Sequence, residues 1–339
     1  MTDRAALASR FLADAGWNGG KRAPLAGDAS ARRYERIALD GRVAVLMDAA
    51  PYHGESTERF TRMAHWLTGH GYSAPDILAE DHAQGFLLLE DLGDALFARL
   101  LAADPSREAG LYMAATDFLG DLHRHPAPDF ILPLDAAGLG ELTELVSRWY
   151  LPGIGEAESP AADAIPELIR AAFTRLDDGR VVTSLRDFHA ENLIWLPDRT
   201  GHARLGLLDF QDAVATHPAY DLVSLLQDAR RDVPEMTETA MVARYVAANA
   251  LDPGGFGAIY ALLGAQRALR IAAIFTRLTL RDGKPHYLDY LPRVWRALER
   301  NLAHPALGDL ARAVHEGLPA PTPERVQRIK DQCGQHRTP

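Results

Sequence analysis

Lysine is almost missing from this chain. Of 36 basic residues only Lys21, Lys284 and Lys330 are lysines, so a task that ordinarily falls to an ammonium group must be met by arginine. Cysteine is scarcer still. The single Cys333 excludes an intrachain disulfide and fits a reducing compartment, and no His or Cys occurs at the spacing of zinc ligands. No stretch reaches the ~18 uninterrupted apolar residues of a membrane span. Met1-Thr2-Asp3-Arg4 lacks the basic and apolar segments of a secretory leader, so a cytoplasmic protein with no membrane partner is expected. A net charge of -10 argues against nucleic acid, whose binders show clustered basic surface. No feature points to an obligate protein partner. At 339 residues the chain exceeds what one hydrophobic core usually serves, and two lobes are expected.

What is present is a run of oxygen-bearing side chains between 187 and 212. Asp187-Phe188-His189-Ala190-Glu191-Asn192 leads into the apolar run Leu193-Ile194-Trp195-Leu196. A turn through Pro197, Asp198 and Gly201 precedes Leu205-Gly206-Leu207-Leu208 and then Asp209-Phe210-Gln211-Asp212. Two short strands joined by a turn bring both polar clusters together. Transfer of a γ-phosphoryl group is mostly positioning and charge neutralisation. One carboxylate, Asp187, is suited to orient an acceptor hydroxyl and take its proton. Another, Asp209, with the amide oxygen of Asn192, is suited to hold Mg²⁺, a hard cation that prefers oxygen. Isolated Asp and Asn are ordinarily turn residues; it is their combination around an apolar hairpin that points to a kinase.

Here a resemblance is plain. The segment 183–230 resembles the aminoglycoside phosphotransferase branch of the protein-kinase-like fold, with Asp187 in the place of its catalytic-loop Asp and Asn192 and Asp209 in those of its metal ligands. Asp221, in Tyr220-Asp221-Leu222-Val223-Ser224, matches the family's buried Asp that braces the catalytic loop. The strings Asp28-Ala29-Ser30, Arg32-Arg33-Tyr34, Phe86-Leu87-Leu88-Leu89-Glu90-Asp91-Leu92-Gly93 and Leu208-Asp209-Phe210-Gln211-Asp212 are similar to those of bacterial anomeric kinases acting on N-acetylmuramate and N-acetylglucosamine. Those enzymes phosphorylate the sugar C1 hydroxyl in cell-wall recycling. The resemblance implies ATP and Mg²⁺ as cofactors, a small amino sugar as acceptor, and an α+β fold with a small β-rich lobe over 1–91 and a larger helical lobe over 92–339. It also implies a hinge at Glu90 to Leu92, where the carbonyl of Glu90 and the N–H of Leu92 read the adenine edge.

Two departures bear on the site. The family lysine of the third strand should fall on or next to Asp48, and it is absent; Arg32 or Arg33 is expected to contact phosphate instead, since arginine suits bidentate phosphate binding. A structural pair of Asp48 with Arg62 is the competing reading, with both arginines as solvated strand residues. The family histidine two positions before the catalytic Asp is Leu185 here, while His189 matches a histidine common in the loop, with a structural or substrate-edge role. The small-residue turn at Asp28, Ala29 and Ser30 would let backbone N–H groups approach phosphate.

Periodicity predicts a leading helix over 3–15, strands over 31–37 and 42–47, a helix over 56–69 and strands over 77–79 and 85–89. Helices are predicted over 94–101, 105–123, 139–150, 161–176, 220–231, 234–248, 257–280 and 287–303. In the helix over 257–280, Arg267, Arg270 and Arg277 share a narrow arc. They either hold an acceptor carboxylate or form the solvated face of an amphipathic helix. Trp149, Tyr150, Tyr287 and Tyr290 are candidates for stacking on a sugar, or for core packing. The sequence leaves open another hydroxyl acceptor of the aminoglycoside, choline or homoserine type, and a non-catalytic binding module.

Overall fold

A computed structural model describes residues 4–25, 32–51 and 56–336. It forms two compact units, Met1–Ala114 with Ala190–Ala213, and Ala115–His189 with Val214–Pro339. The first unit does not end at 91, because the segment after Glu90 and the hairpin over 193–207 bond to each other and to the N-terminal part. Trp195 N–H donates to Ala95 O, Ala98 N–H to Ala190 O, and Leu207 N–H to Ser73 O, at 2.9, 3.0 and 2.9 Å.

The first unit is built on an antiparallel sheet of β1 (Lys21–Leu25), β2 (Arg33–Leu39), β3 (Arg42–Asp48), β4 (Ile77–Asp81) and β5 (Phe86–Glu90), in the order β1-β2-β3-β5-β4. Asp40 and Gly41 close the β2–β3 hairpin with φ of 50° and 76°, the doubly positive turn that matches strand twist. A strand is expected ahead of residues 25–31, but Lys21-Arg22-Ala23-Pro24-Leu25 has little apolar pattern to set its bounds. Its position at the sheet edge is where a proline without an N–H is tolerated. The leading helix α1 (Arg4–Asp14) turns Ala8, Phe11 and Leu12 inward, spaced i, i+3, i+4, onto Ile37, Leu46, Phe86 and Leu88. α2 (Thr57–Gly69) starts at Ser56, whose hydroxyl accepts the Arg59 N–H, and buries Phe60, Met63, Ala64 and Leu67.

The second unit is mainly helical around the 28-residue helix Pro253–Leu280, begun by Asp252, whose carboxylate accepts the Gly255 N–H at 2.6 Å. This helix is long and apolar enough to cross a membrane by length and composition, but 83% of its most apolar stretch is buried inside the protein. It is a core helix. Leu291–Leu302 packs along it where Gly264 leaves room for the Asn301 amide; a Cβ there would lie 2.4 Å from the Asn301 nitrogen. The strands Leu132–Pro133, Val182–Ser184 and Val214–Thr216 form a small sheet with Val214–Thr216 in the middle. The helix predicted over 139–150 is interrupted: Ala136–Glu141 is α-helical, and the chain winds wider, as a π-helix, over Val146–Tyr150.

Candidate active site

Along the sequence the motif's residues through His189 belong to the second unit and those from Ala190 to the first. Asp221, on the helix Ala219–Leu226, is fully buried directly beneath the loop that follows Val182–Ser184. One of its oxygens accepts the Ser184 hydroxyl at 2.7 Å and the Arg186 N–H at 3.0 Å, and the other accepts the Leu185 N–H at 2.6 Å. Burial pushes its pKa up to about 6 against the pull of these bonds. These three bonds tie Asp221 to the loop over 184–186.

Arg186 lies in left-handed backbone, φ 66°, and Asp187 N–H donates back to Leu185 O at 2.8 Å, so Arg186 is the centre of a positive-φ γ-turn, the strained form. Its peptide groups are held on both sides. The N–H goes to Asp221, while the carbonyl accepts Arg267 Nη1 at 2.9 Å and the Ser224 hydroxyl at 3.1 Å. Arg267 Nη2 completes the ring by donating to Ser224 Oγ at 2.7 Å, and its guanidinium lies 5.2 Å over the Tyr220 ring. Arg267 is only 6% exposed, which rules out a solvated arginine stripe. Phe188 is anchored by stacking on Phe118 at 5.6 Å.

Asp187 itself is half-buried. Burial pushes its pKa up, but the positive charges of Arg270 and Arg267, with Arg186, outweigh that and hold it below the ordinary Asp value. It stays ionised, as a proton acceptor must. His189 is buried, and its Nε2 faces the Arg230 guanidinium at 3.2 Å. A guanidinium only donates, so Nε2 is the acceptor of a neutral ring; burial lowers the His189 pKa in the same sense.

In the first unit Leu193–Trp195 and Leu205–Leu207 pair antiparallel, Leu193 opposite Leu207, as the hairpin predicted from the sequence. Asn192 O accepts the Leu208 N–H at 2.9 Å, which brings the two polar ends of the hairpin together. Gly206 is needed where side chains close in, since a Cβ would meet Ile194, Leu196 and Leu92 at 3.2 Å. Asp209 also has left-handed backbone, φ 56°, and the next residue, Phe210, is buried against Phe60 with ring centres 4.8 Å apart. Gln211 Nε2 donates to Asp209 Oδ1 at 2.8 Å, while its buried Oε1 has no hydrogen-bond partner among the described residues. Asn192, Asp209 and that orphaned oxygen are all hard donors, so the set fits a divalent cation such as Mg²⁺.

Of the phosphate candidates, Asp28, Ala29 and Ser30 lie outside the described residues. Arg32 and Arg33 part company: Arg33 is exposed, whereas the Arg32 side chain is 8% exposed with Nη1 3.4 Å from Asp209 Oδ1. Asp48 pairs with Arg4 of α1, a partner 44 residues away that no local pattern could indicate. At the end of β5, Glu90 is held by Arg199 at 2.5 Å, and Arg36 of β2 forks onto Asp91 and Asp94 at 2.5–3.1 Å. Leu92 is buried beside them. Arg36, Arg199, Gln211 and the loop-bracing role of Arg267 were not read from the sequence. Tyr150 and Tyr287 are core residues, stacked on Trp295 and packed on Phe275 at 5.5 and 5.2 Å.

Among the described residues Asp177, Asp178 and His217 also group as possible metal ligands. His217 Nδ1 accepts the Ala219 N–H at 3.1 Å, so the neutral ring carries its proton on Nε2, 3.4 Å from Asp178. That is a hydrogen-bonded pair, with no lone pair left for a metal.

A buried Asp bracing a strained loop that presents an ionised Asp, and a hairpin ending in hard oxygen donors, define a phosphotransferase. The chain belongs to the phosphotransferase enzyme family, which matches it over residues 21–262. It is 39% identical to the N-acetylmuramate/N-acetylglucosamine kinase of Caulobacter vibrioides over 91% of this chain and 95% of that one. To the N-acetylmuramate/N-acetylglucosamine kinase of Pseudomonas aeruginosa it is 34% identical, over 88% of this chain and 89% of that one. In fold it is similar to a solved choline/ethanolamine kinase family protein of Mesorhizobium loti, with a TM-score of 0.62 at 17% identity, covering 93% of this chain and 100% of that one. The protein-kinase-like α+β fold read from the sequence is the fold of this molecule.

Proposed function

We propose that this protein is an ATP-dependent sugar kinase that phosphorylates the C1 hydroxyl of N-acetylmuramate and N-acetylglucosamine, acting in the cytoplasm in the reuse of cell-wall sugars. The observation that carries it is the Asp187 loop: an ionised carboxylate follows a residue whose N–H and carbonyl are both held by buried side chains. Rigid presentation of a proton acceptor is what phosphoryl transfer asks of a protein. The names of the relatives supply the sugar.

In this reading Asp187 hydrogen-bonds the acceptor hydroxyl. As the hydroxyl oxygen bonds to the γ-phosphorus, the bond from that phosphorus to the β,γ-bridging oxygen breaks, ADP leaves, and the hydroxyl proton passes to Asp187. Asn192 and Asp209 would hold Mg²⁺, with Gln211 beside them; the ion would neutralise charge on the phosphates. Arg32, rather than Arg33, takes the phosphate role of the missing strand-three lysine, being shielded and already next to Asp209. The backbone at Asp28, Ala29 and Ser30 would cover the phosphates, and Glu90 O and Leu92 N–H would read the adenine edge. His189 supports the loop through Arg230.

The test is magnesium-dependent ATP consumption against a panel of N-acetylmuramate, N-acetylglucosamine, aminoglycosides, choline and homoserine, with phosphorus NMR of the product. Turnover with the two amino sugars and a phosphate on C1 is expected. Turnover only with another acceptor, or with none, overturns the reading.

A further inference from the structure

The three arginines on one side of the helix Pro253–Leu280 are not equivalent. Arg267 is fully engaged by protein acceptors, as described above. Arg270 and Arg277 stand seven residues apart, two turns along the helix and on nearly the same line down its side. Both are half-buried, and the Nε of each is shielded from solvent with no hydrogen-bond partner among the described residues. Their neighbours at three and four residues are Gln266, Arg267, Ala273, Ile274, Leu280 and Arg281, none of them acidic. The nearest following carboxylate, Asp282, is taken by Arg281 at 2.7 and 2.9 Å. Burial, Arg281 and Arg270 all push the Arg277 pKa down, with Asp282 opposing. Arg270 stands one turn beyond Arg267, whose guanidinium reaches the carbonyl of Arg186, the residue before Asp187, and its charge is the foremost of those that lower the Asp187 pKa.

Two partly desolvated like charges are costly when the carboxylates near them are committed elsewhere, Asp282 to Arg281 and Asp187 to the acceptor hydroxyl in the proposed reaction, and the arrangement becomes more favourable once a further anion completes it. A guanidinium offers a planar fork that matches a carboxylate. The two acceptors of the proposed reaction differ in this one respect: N-acetylmuramate carries a lactyl carboxylate on its 3-oxygen, and N-acetylglucosamine has a free hydroxyl there.

We propose that Arg270, supported by Arg277, binds the lactyl carboxylate of N-acetylmuramate and sets the preference of this site for that sugar over N-acetylglucosamine. This inference rests on the sugar-kinase reading, and its test separates the two. Initial rates are measured with Mg·ATP and three acceptors: N-acetylmuramate, its methyl ester, and N-acetylglucosamine. For the wild-type protein, kcat/KM for the acid should exceed that for the ester by about 10- to 100-fold, the range of a hydrogen bond to a charged partner. In Arg270→Met the acid-to-ester and acid-to-N-acetylglucosamine ratios should both collapse toward one, with Arg270→Lys between and Arg277→Met showing a smaller fall. Equal wild-type rates on acid and ester overturn the carboxylate role while leaving the kinase reading intact, and this comparison needs no variant to fold. Equal losses on all three acceptors in Arg270→Met, with a raised KM for ATP, would instead make Arg270 a phosphate ligand. No turnover of any sugar by the wild-type protein overturns the sugar-kinase reading and this inference with it.

Discussion

Arg186 is a non-glycine residue in left-handed backbone, a conformation that costs of order 1 kcal/mol or more and persists only where neighbours enforce it. Its enforcers are Asp221 on the amide side and Arg267 with Ser224 on the carbonyl side. Arg267→Met should lower kcat by about 10-fold or more, since a hydrogen bond from a charged donor is worth roughly 1.5–3 kcal/mol. It should also move the acidic limb of the kcat–pH profile upward, because Asp187 loses one of the cations that depress its pKa. A purely structural loss would lower the plateau without moving the limb. Asp187→Asn keeps the shape but removes the proton acceptor proposed above, so turnover should fall by about 10²–10⁴-fold with ATP binding retained. Asp209→Ala should show the complementary pattern, weak binding of Mg·ATP measured by calorimetry.

At the level of elements, the long helix and Leu291–Leu302 approach through Gly264. Asn301, opposite it, cannot move aside freely: it is buried and exchanges two hydrogen bonds with the Gln227 amide at 2.8 and 3.0 Å. Gly264→Val should therefore destabilise by about 1–3 kcal/mol, the usual cost of overpacking, read as a lower urea midpoint. Elements whose signal is local were legible in the sequence. The hairpin 193–207 and the apolar β5 follow from short-range alternation and turn chemistry, and the Asp187 to Asn192 spacing follows from the motif. The bounds of β1 were not legible because an edge strand with a proline and two basic residues carries no apolar period. Arg267 was misjudged for the opposite reason: amphipathic reasoning sends charge to solvent, and only tertiary contacts reveal that this guanidinium satisfies a carbonyl in the interior. Likewise the partners of Asp48, Asp91 and Glu90 come from residues far along the chain, beyond any periodic window.

For the molecule as a whole, acid stability should be set largely by buried histidines. Burial holds His123 down to about 3 and His217 down to about 4. An unfolded chain protonates these rings near 6.5. Their contribution is complete above that value and is lost progressively as pH falls from 6.5 to about 4 for His217 and about 3 for His123. Asp221, raised to about 6, works in the other sense: its share is present below the unfolded Asp value and disappears as pH rises through 6. With two histidines against one aspartate, the urea midpoint should drop on going from pH 7 to pH 4.5. His217→Gln should flatten that drop; an unchanged slope would show that the ring is not a neutral buried group.

The helix Pro253–Leu280 is in contact with much of the second unit, and its Gln266 amide donates to Leu139 O at 3.0 Å, tying it to a segment 127 residues earlier in the chain. Partial fraying at its surroundings leaves its middle turns covered. In deuterated solvent the amides between Ile259 and Phe275 should be the last of that unit to exchange, and they should do so together, since no opening smaller than loss of the whole unit uncovers them.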